Sequence, residues 1–201
     1  MNKKVLIFAV ALMAVAMLAT PIIGTVMAVP PTRGTFTQYI VQVTVAPGTE
    51  FVRGNVMHGR GQSSESYLYG APWGNSIDGA GLSTHVKLNL VSFIGSGILK
   101  TVDSYDGGTV IGSIKVEMIG FGPYTYNGPT FSFEVGGVSG EVTNGVTYVG
   151  ILFTGFGVKH GISSDLKGLE TKETFTGLIV AVGPLAGVNI VENTVTYKLP
   201  A

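Results

Sequence analysis

A histidine and an aspartate lie close together in the glycine-framed segment Gly157–Gly177. His160 and Asp165 are separated by Gly-Ile-Ser-Ser, so imidazole, carboxylate and hydroxyl groups, the components of nucleophilic hydrolysis, occur side by side. That chemistry also needs a serine on a strained turn, and the sequence contains no Gly-x-Ser-x-Gly elbow. The pattern is more typical of a loop histidine, with Asp165 bonding its own backbone in an Asx turn.

Metal-ligand patterns are also missing from the sequence. His58, His85 and His160 are far apart and form no His-x-His or His-x-x-x-His pair, so only the fold could assemble a zinc site. Asp103 and Asp106 offer two carboxylates on one turn, but the regular oxygen spacing of a calcium loop is absent and a hairpin turn is favoured. We therefore predict no metal and no cofactor.

The N-terminus predicts export. Two lysines precede an uncharged apolar run from Val5, and Val26-Met27-Ala28 presents small residues at the positions that a signal peptidase reads. We interpret residues 1–28 as a signal peptide and expect a secreted or cell-surface protein. The alternative is a retained membrane anchor, since about 20 apolar residues suffice to cross the hydrocarbon.

Residues 29–201 are predicted to form a single domain. Removing the leader leaves 201 − 28 = 173 residues, which is enough to bury a core. The leader holds two of the 12 basic residues and none of the 12 acidic ones, so the net charge becomes 10 − 12 = −2. Scattered lysines and near-neutral charge argue against nucleic acid as a partner. Because the sequence has no cysteine, packing and strand pairing alone must hold the fold.

Hydrophobic residues alternate with polar ones along most of this domain, as in antiparallel strands with one buried face. In the first strand Tyr39, Val41, Val43 and Val45 are expected to face a core, and Gln38, Gln42 and Thr44 solvent. The same alternation marks Thr84–Ile94 and Thr109–Ile119. Asp-Gly and Asn-Gly pairs at 106–107, 127–128 and 144–145 supply hairpin turns.

These signals predict an all-β fold, a single antiparallel β-barrel of about eight to ten strands, with a β-sandwich as the alternative. The glycine-rich segment Gly59–Leu82 is read as a long loop with a short strand at Ser66–Tyr69. Glu170 and Glu173, near Lys167 and Lys172, are read as a solvated strand face.

Two strands depart from simple alternation. Val146–Val158 has large apolar residues on both faces in its middle, so both faces are expected to be covered. Leu178–Val191 is almost free of polar side chains and must also be covered, either by the domain itself or by a second subunit.

The strands around the opening segment resemble those of a known family. Thr154-Gly155-Phe156-Gly157, Asp165–Leu169 and Thr174-Phe175-Thr176-Gly177 are similar to the late hairpin of allene-oxide-cyclase-like and dirigent-like β-barrels. The chain also resembles small uncharacterised exported β-proteins of archaea and bacteria. The resemblance implies an eight-stranded, commonly oligomeric barrel with a mostly apolar interior, which in plant members binds hydrophobic or phenolic intermediates. It carries over no catalytic residue.

Function is predicted at the level of class. The first reading is a secreted barrel, non-catalytic, that holds a small hydrophobic ligand or acts as a cell-envelope module. The alternatives are an extracellular assembly subunit that self-associates through Leu178–Val191, and an isomerase or cyclase. The residues predicted to contact a ligand are His160, Tyr124, Tyr126 and Glu134.

Overall fold

A computed structural model of the protein describes residues 32–74 and 76–200. The predicted signal peptide, residues 1–28, lies outside the described residues. Within them the chain forms twelve β-strands and a short 3-10 helix, and this confirms the all-β prediction. Over the same residues no helix is long and apolar enough to cross a bilayer.

The strands follow one another with short connections, and the twelve strands of the described residues exceed the eight to ten predicted. They are β1 (Thr32–Ala46), β2 (Thr49–Arg53), β3 (Val56–Arg60), β4 (Ser63–Tyr69), β5 (Ser76–Asn89), β6 (Ile94–Tyr105), β7 (Gly108–Thr125), β8 (Phe131–Val135), β9 (Val138–Val142), β10 (Thr147–Gly161), β11 (Glu170–Val180) and β12 (Val188–Leu199), with the 3-10 helix at Ser164–Leu166.

Eight of these strands form a closed ring. The ten-stranded sheet has the order β2-β3-β5-β4-β1-β12-β11-β10-β7-β6, and β5 also pairs with β6. The circuit β5-β4-β1-β12-β11-β10-β7-β6 therefore returns to its start, and each pairing around it is antiparallel. Closure pairs the strand edges that would otherwise invite aggregation.

The interior of the ring is only partly apolar. Val86, Leu88 and Met118 lie on its inner side, as the alternation of β5 and β7 predicts. For β1 the prediction that the polar face meets solvent is wrong, because Gln38 is buried and Gln42 lines an internal cavity, whereas Val41 and Val43 are buried as predicted. Both faces of β1 are covered, and partners inside the ring satisfy its polar face: Gln38 Nε2 donates to Tyr105 Oη at 2.8 Å.

A second core lies outside the ring, under the β8–β9 hairpin. Phe131, Phe133 and Val142 of the hairpin pack with Val41 and Leu178 of the ring wall. β10 has Ile151 and Phe153 in the core on the inner side and Tyr148 and Leu152 in this outer core, so the prediction that both of its faces are covered is confirmed.

The apolar segment Leu178–Val191 is also covered by the chain itself. Leu178, Val180, Leu185, Val188 and Ile190 are buried in the outer core. Self-association through this segment stays a prediction.

The prediction that Gly59–Leu82 is a long loop is wrong, although the short strand predicted at Ser66–Tyr69 lies within β4. β3 ends at Arg60, β4 covers Ser63–Tyr69 and β5 begins at Ser76. The inward positions of β4 include Ser64 and Ser66, whose hydroxyl groups find partners: Gln42 Nε2 donates to Ser66 Oγ at 3.2 Å. A strand with serines on its buried face gives no hydrophobic alternation, which is why its pattern resembled a loop.

One end of the ring is closed by aromatic side chains. Trp73, which follows β4, makes edge-to-face contacts with Phe36, Tyr105 and Tyr197 at centroid distances of 5.1, 5.9 and 5.4 Å. Leu166 of the 3-10 helix packs in the same cluster.

Candidate functional site

The ring encloses a cavity of about 240 Å³. Apolar side chains form most of its wall, among them Val86, Leu99, Val116, Phe153 and Phe175. Thr44 and Gly187, both exposed, also line it, so the cavity opens at the end opposite the aromatic cluster. At about 30 Å³ for each water, the space holds about eight water-sized groups. Protein interiors seldom leave voids of that size.

The closed end of the cavity carries three buried charges. Lys159 Nζ lies 2.7 Å from Asp103 Oδ2 and 3.2 Å from Glu173 Oε2, and each of these side chains is 5% exposed. Glu173 also accepts hydrogen bonds from Asn193 Nδ2 at 3.1 Å and from Thr171 Oγ1 at 3.2 Å. Lys159, Asp103 and Glu173 come from β10, β6 and β11, and the strand order β11-β10-β7-β6 brings them together.

One ammonium shared by two carboxylates explains the pKa values in this cluster. Burial by itself lowers the pKa of Lys159, but the charges of Asp103 and Glu173 more than offset it, so the pKa rises above lysine's ordinary value. Burial raises the pKa of Asp103, and the single Lys159 charge opposes this without cancelling it. The lysine is therefore held as a cation, which makes it a poor nucleophile.

Buried tyrosines add to a predicted loss of stability at alkaline pH. Burial, followed by the nearby Asp103 charge, raises the pKa of Tyr105, and burial likewise raises the pKa of Tyr124 and Tyr126. Together with Lys159, these groups keep their protons in the folded state at a pH where the unfolded chain loses them. The contribution of these groups to the free energy of unfolding should therefore be complete below about pH 10 and should decrease as the pH rises further.

Urea unfolding at a series of pH values from neutral to strongly alkaline would measure this decline. Tyr105→Phe removes one such group and should make the decline shallower. A free energy of unfolding that stays level across the alkaline range would contradict the assignment.

The four residues predicted from sequence to contact a ligand do not line this cavity. His160 is exposed near the end of β10, beside Glu170 in the register, and Glu134 is exposed on β8. Tyr124 donates to Glu192 Oε1 at 2.8 Å, and Tyr126, fully buried in the outer core, donates to the Pro129 carbonyl at 2.9 Å. A ligand-binding role for these residues stays a prediction. Asp165 lies exposed in the 3-10 helix.

The predictions made from sequence for Asp103 and Glu173, both at the closed end, are wrong. Asp103 is not part of the turn that holds Asp106, and Glu173 is not on a solvated face; both point into the ring. The signal was present for Glu173, since Phe175, two residues later in β11, lies on the same face of the strand. No comparable signal marked Asp103 or Lys159 as partners.

The fold brings two histidines together elsewhere. His58 and His85 line a groove on the outside of the molecule with Phe51 and Arg60, and the Phe51 and His58 rings stack at 4.8 Å. Across residues 32–74 and 76–200 no group of three or more histidine, aspartate or glutamate side chains could hold a metal ion.

Comparison of the chain with protein-family models, with curated proteins and with solved structures finds no match.

Proposed function

We propose that the ring works as a β-barrel of an exported protein and binds a small, mainly apolar ligand in its cavity. The observation that carries the proposal is the apolar cavity of about 240 Å³, open at one end and bounded by charged groups at the other. Binding pockets for small molecules combine mostly apolar walls with a few polar groups that orient the ligand, and barrel interiors are common places for them.

Gly97 offers a way to fill this cavity without disturbing the strand pairing. It lies on β6 and lines the cavity, and a Cβ atom there would meet Val86 Cγ2 at 3.5 Å and the His85 carbonyl oxygen at 3.6 Å, which are ordinary contacts. The side chain of Gly97→Leu would therefore enter the ligand space. Ser96→Leu places the same side chain on the exposed outer face of the same strand and serves as the matched control.

Calorimetric titration with 1-heptanol, which has about eight non-hydrogen atoms, tests the proposal. We expect the purified protein and Ser96→Leu to bind 1-heptanol equally, and Gly97→Leu to bind it at least about tenfold more weakly, about 1.4 kcal/mol. Absence of binding to the unsubstituted protein, or equal binding by both variants, would refute a ligand site in the ring.

A second candidate function, proton transfer of the isomerase or cyclase type, is favoured by one observation. Asp103, a carboxyl group whose pKa is raised by burial, lines the same cavity as the apolar ligand space. Such a site should speed exchange of the α-protons of bound 2-heptanone with deuterated water, and Asp103→Asn should abolish the acceleration. Exchange no faster than in buffer alone would eliminate this candidate.

A further inference from the structure

Besides Trp73 Nε1 of the aromatic cluster, two buried polar atoms have no hydrogen-bond partner among the described residues, and both belong to side chains at the closed end of the cavity. They are Asn193 Oδ1 and Thr101 Oγ1. Asn193 is 1% exposed and Thr101 7% exposed, and both side chains line the cavity. Burying a polar group without a partner destabilises the folded state. An apolar side chain would suit position 101 better if packing were the sole requirement, whereas at position 193 the amide Nδ2 has a partner and only Oδ1 lacks one.

The orientation of the Asn193 amide follows from its neighbour. Its Nδ2 donates to Glu173 Oε2 at 3.1 Å, and the opposite orientation would set the amide oxygen against a carboxylate oxygen. The atom without a partner is therefore Oδ1, which can only accept a hydrogen bond.

The charged side chains at the closed end carry an excess of negative charge. Two carboxylates, Asp103 and Glu173, flank the single ammonium of Lys159, for a formal charge of −1. Lys159 already donates a hydrogen bond to Asp103 and forms an ion pair with Glu173, so both of its interactions lie within the protein. A ligand that reaches this end meets negative charge and an unused acceptor.

Thr101 and Asn193 face each other across the ring. Thr101 belongs to β6 and Asn193 to β12, and the strand order places β7, β10 and β11 between them on one side and β5, β4 and β1 on the other. A head group at the centre of the closed end would lie between the two side chains.

We infer that the closed end of the cavity binds the protonated head group of a primary amine whose apolar tail of about six to eight carbons fills the rest of the space. An ammonium group has three N–H donors and no acceptor, which matches an end that offers acceptors and negative charge. The tail length follows from room for about eight groups. This inference depends on the proposed function, because the apolar part of the cavity must take up the tail.

A series of ligands with one tail and different head groups tests the inference. Heptylamine, 1-heptanol and heptanoate are titrated calorimetrically into the purified protein at neutral pH. Heptylamine should bind at least about tenfold tighter than 1-heptanol, since hydrogen bonds that involve a charged group are stronger than those between neutral groups. Heptanoate should bind more weakly than 1-heptanol.

The outcomes separate the two proposals. If 1-heptanol binds but heptylamine binds no tighter, or heptanoate binds best, the amine inference is overturned and the apolar site remains. If 1-heptanol fails to bind, the proposed function fails, and the amine inference fails with it. Heptylamine binding that survives in Gly97→Leu would place the amine on the surface and would also overturn the inference.

Thr101→Val locates the head group. The hydroxyl has no partner among the described residues, so its removal breaks no hydrogen bond of theirs and the fold should be kept. Heptylamine affinity should fall about fivefold to tenfold. Thr174→Val makes the same change on the exposed outer face of β11 and should leave the affinity unchanged. Equal affinities for heptylamine in both variants would contradict a head group at Thr101.

Discussion

Replacing Lys159 with methionine should lower the free energy of unfolding by about 3–5 kcal/mol, because the change leaves two carboxylates buried without a counter-ion. Lys159 is the shared partner of Asp103 and Glu173, at 2.7 and 3.2 Å. Urea unfolding of the variant and the unsubstituted protein measures the difference. Lys172→Met, on the exposed face of β11, is the control and should change stability by less than about 0.5 kcal/mol.

The sign of the pH dependence provides an independent check. Burial raises the pKa of Asp103, and without Lys159 no cation opposes this effect, so the folded state binds more protons than the unfolded chain at neutral pH. The free energy of unfolding of Lys159→Met should therefore increase as the pH falls toward about 4. Adding Asp103→Asn and Glu173→Gln should restore most of the lost stability. A Lys159→Met protein as stable as the unsubstituted one would show that the ion cluster is not buried in a low-dielectric interior.

Phe131→Ala should be comparably destabilising, by about 3–5 kcal/mol, because it removes a large side chain from the core outside the ring. Phe131 is buried and its ring stacks on Tyr69 at 5.1 Å and contacts Tyr67 at 5.8 Å. These contacts attach the β8–β9 hairpin to the ring wall. Phe156→Ala, at an exposed phenylalanine of β10, is the matched control and should cost less than about 1 kcal/mol.

Loss of the hairpin contact should also change how the protein behaves in solution. Val41, Leu178 and Ile190 lie under the hairpin, and uncovering them creates an apolar patch on the outside of the ring. We expect light scattering to show concentration-dependent association of Phe131→Ala and no such change for Phe156→Ala. Unchanged stability and unchanged scattering would mean that the hairpin does not hold the outer core.

Strand positions were largely predictable because alternation and turn residues are local signals. The turns predicted at Asp106-Gly107 and Asn144-Gly145 precede β7 and β10. The prediction was wrong between Gly59 and Leu82, where inward-facing serines replaced the apolar residues that mark a buried strand. The prediction that the polar face of β1 meets solvent was also wrong. Gln38 donates to Tyr105 of a distant strand, and nothing in the local sequence indicates that hydrogen bond.

The candidate site was less predictable than the strands. Asp103, Lys159 and Glu173 are 56 and 14 residues apart in sequence order, 159 − 103 = 56 and 173 − 159 = 14, and no short spacing joins them. Their meeting depends on the order of β6, β7, β10 and β11 around the ring. Residues that carry recognisable chemistry in sequence, such as His160 and Asp165, lie exposed outside the cavity.

The amino-acid sequence by itself determined the local elements of this protein: period-two strands, glycine turns, and a fold without disulfides that must be held by packing. It also determined that the apolar segment Leu178–Val191 must be buried, because exposing contiguous apolar surface to water is unfavourable. The tertiary structure alone decided what buries that segment, which polar side chains turn inward, and that one lysine serves two carboxylates. Those outcomes depend on strand order and ring closure, and contacts between distant strands leave no signature in local hydrophobic pattern.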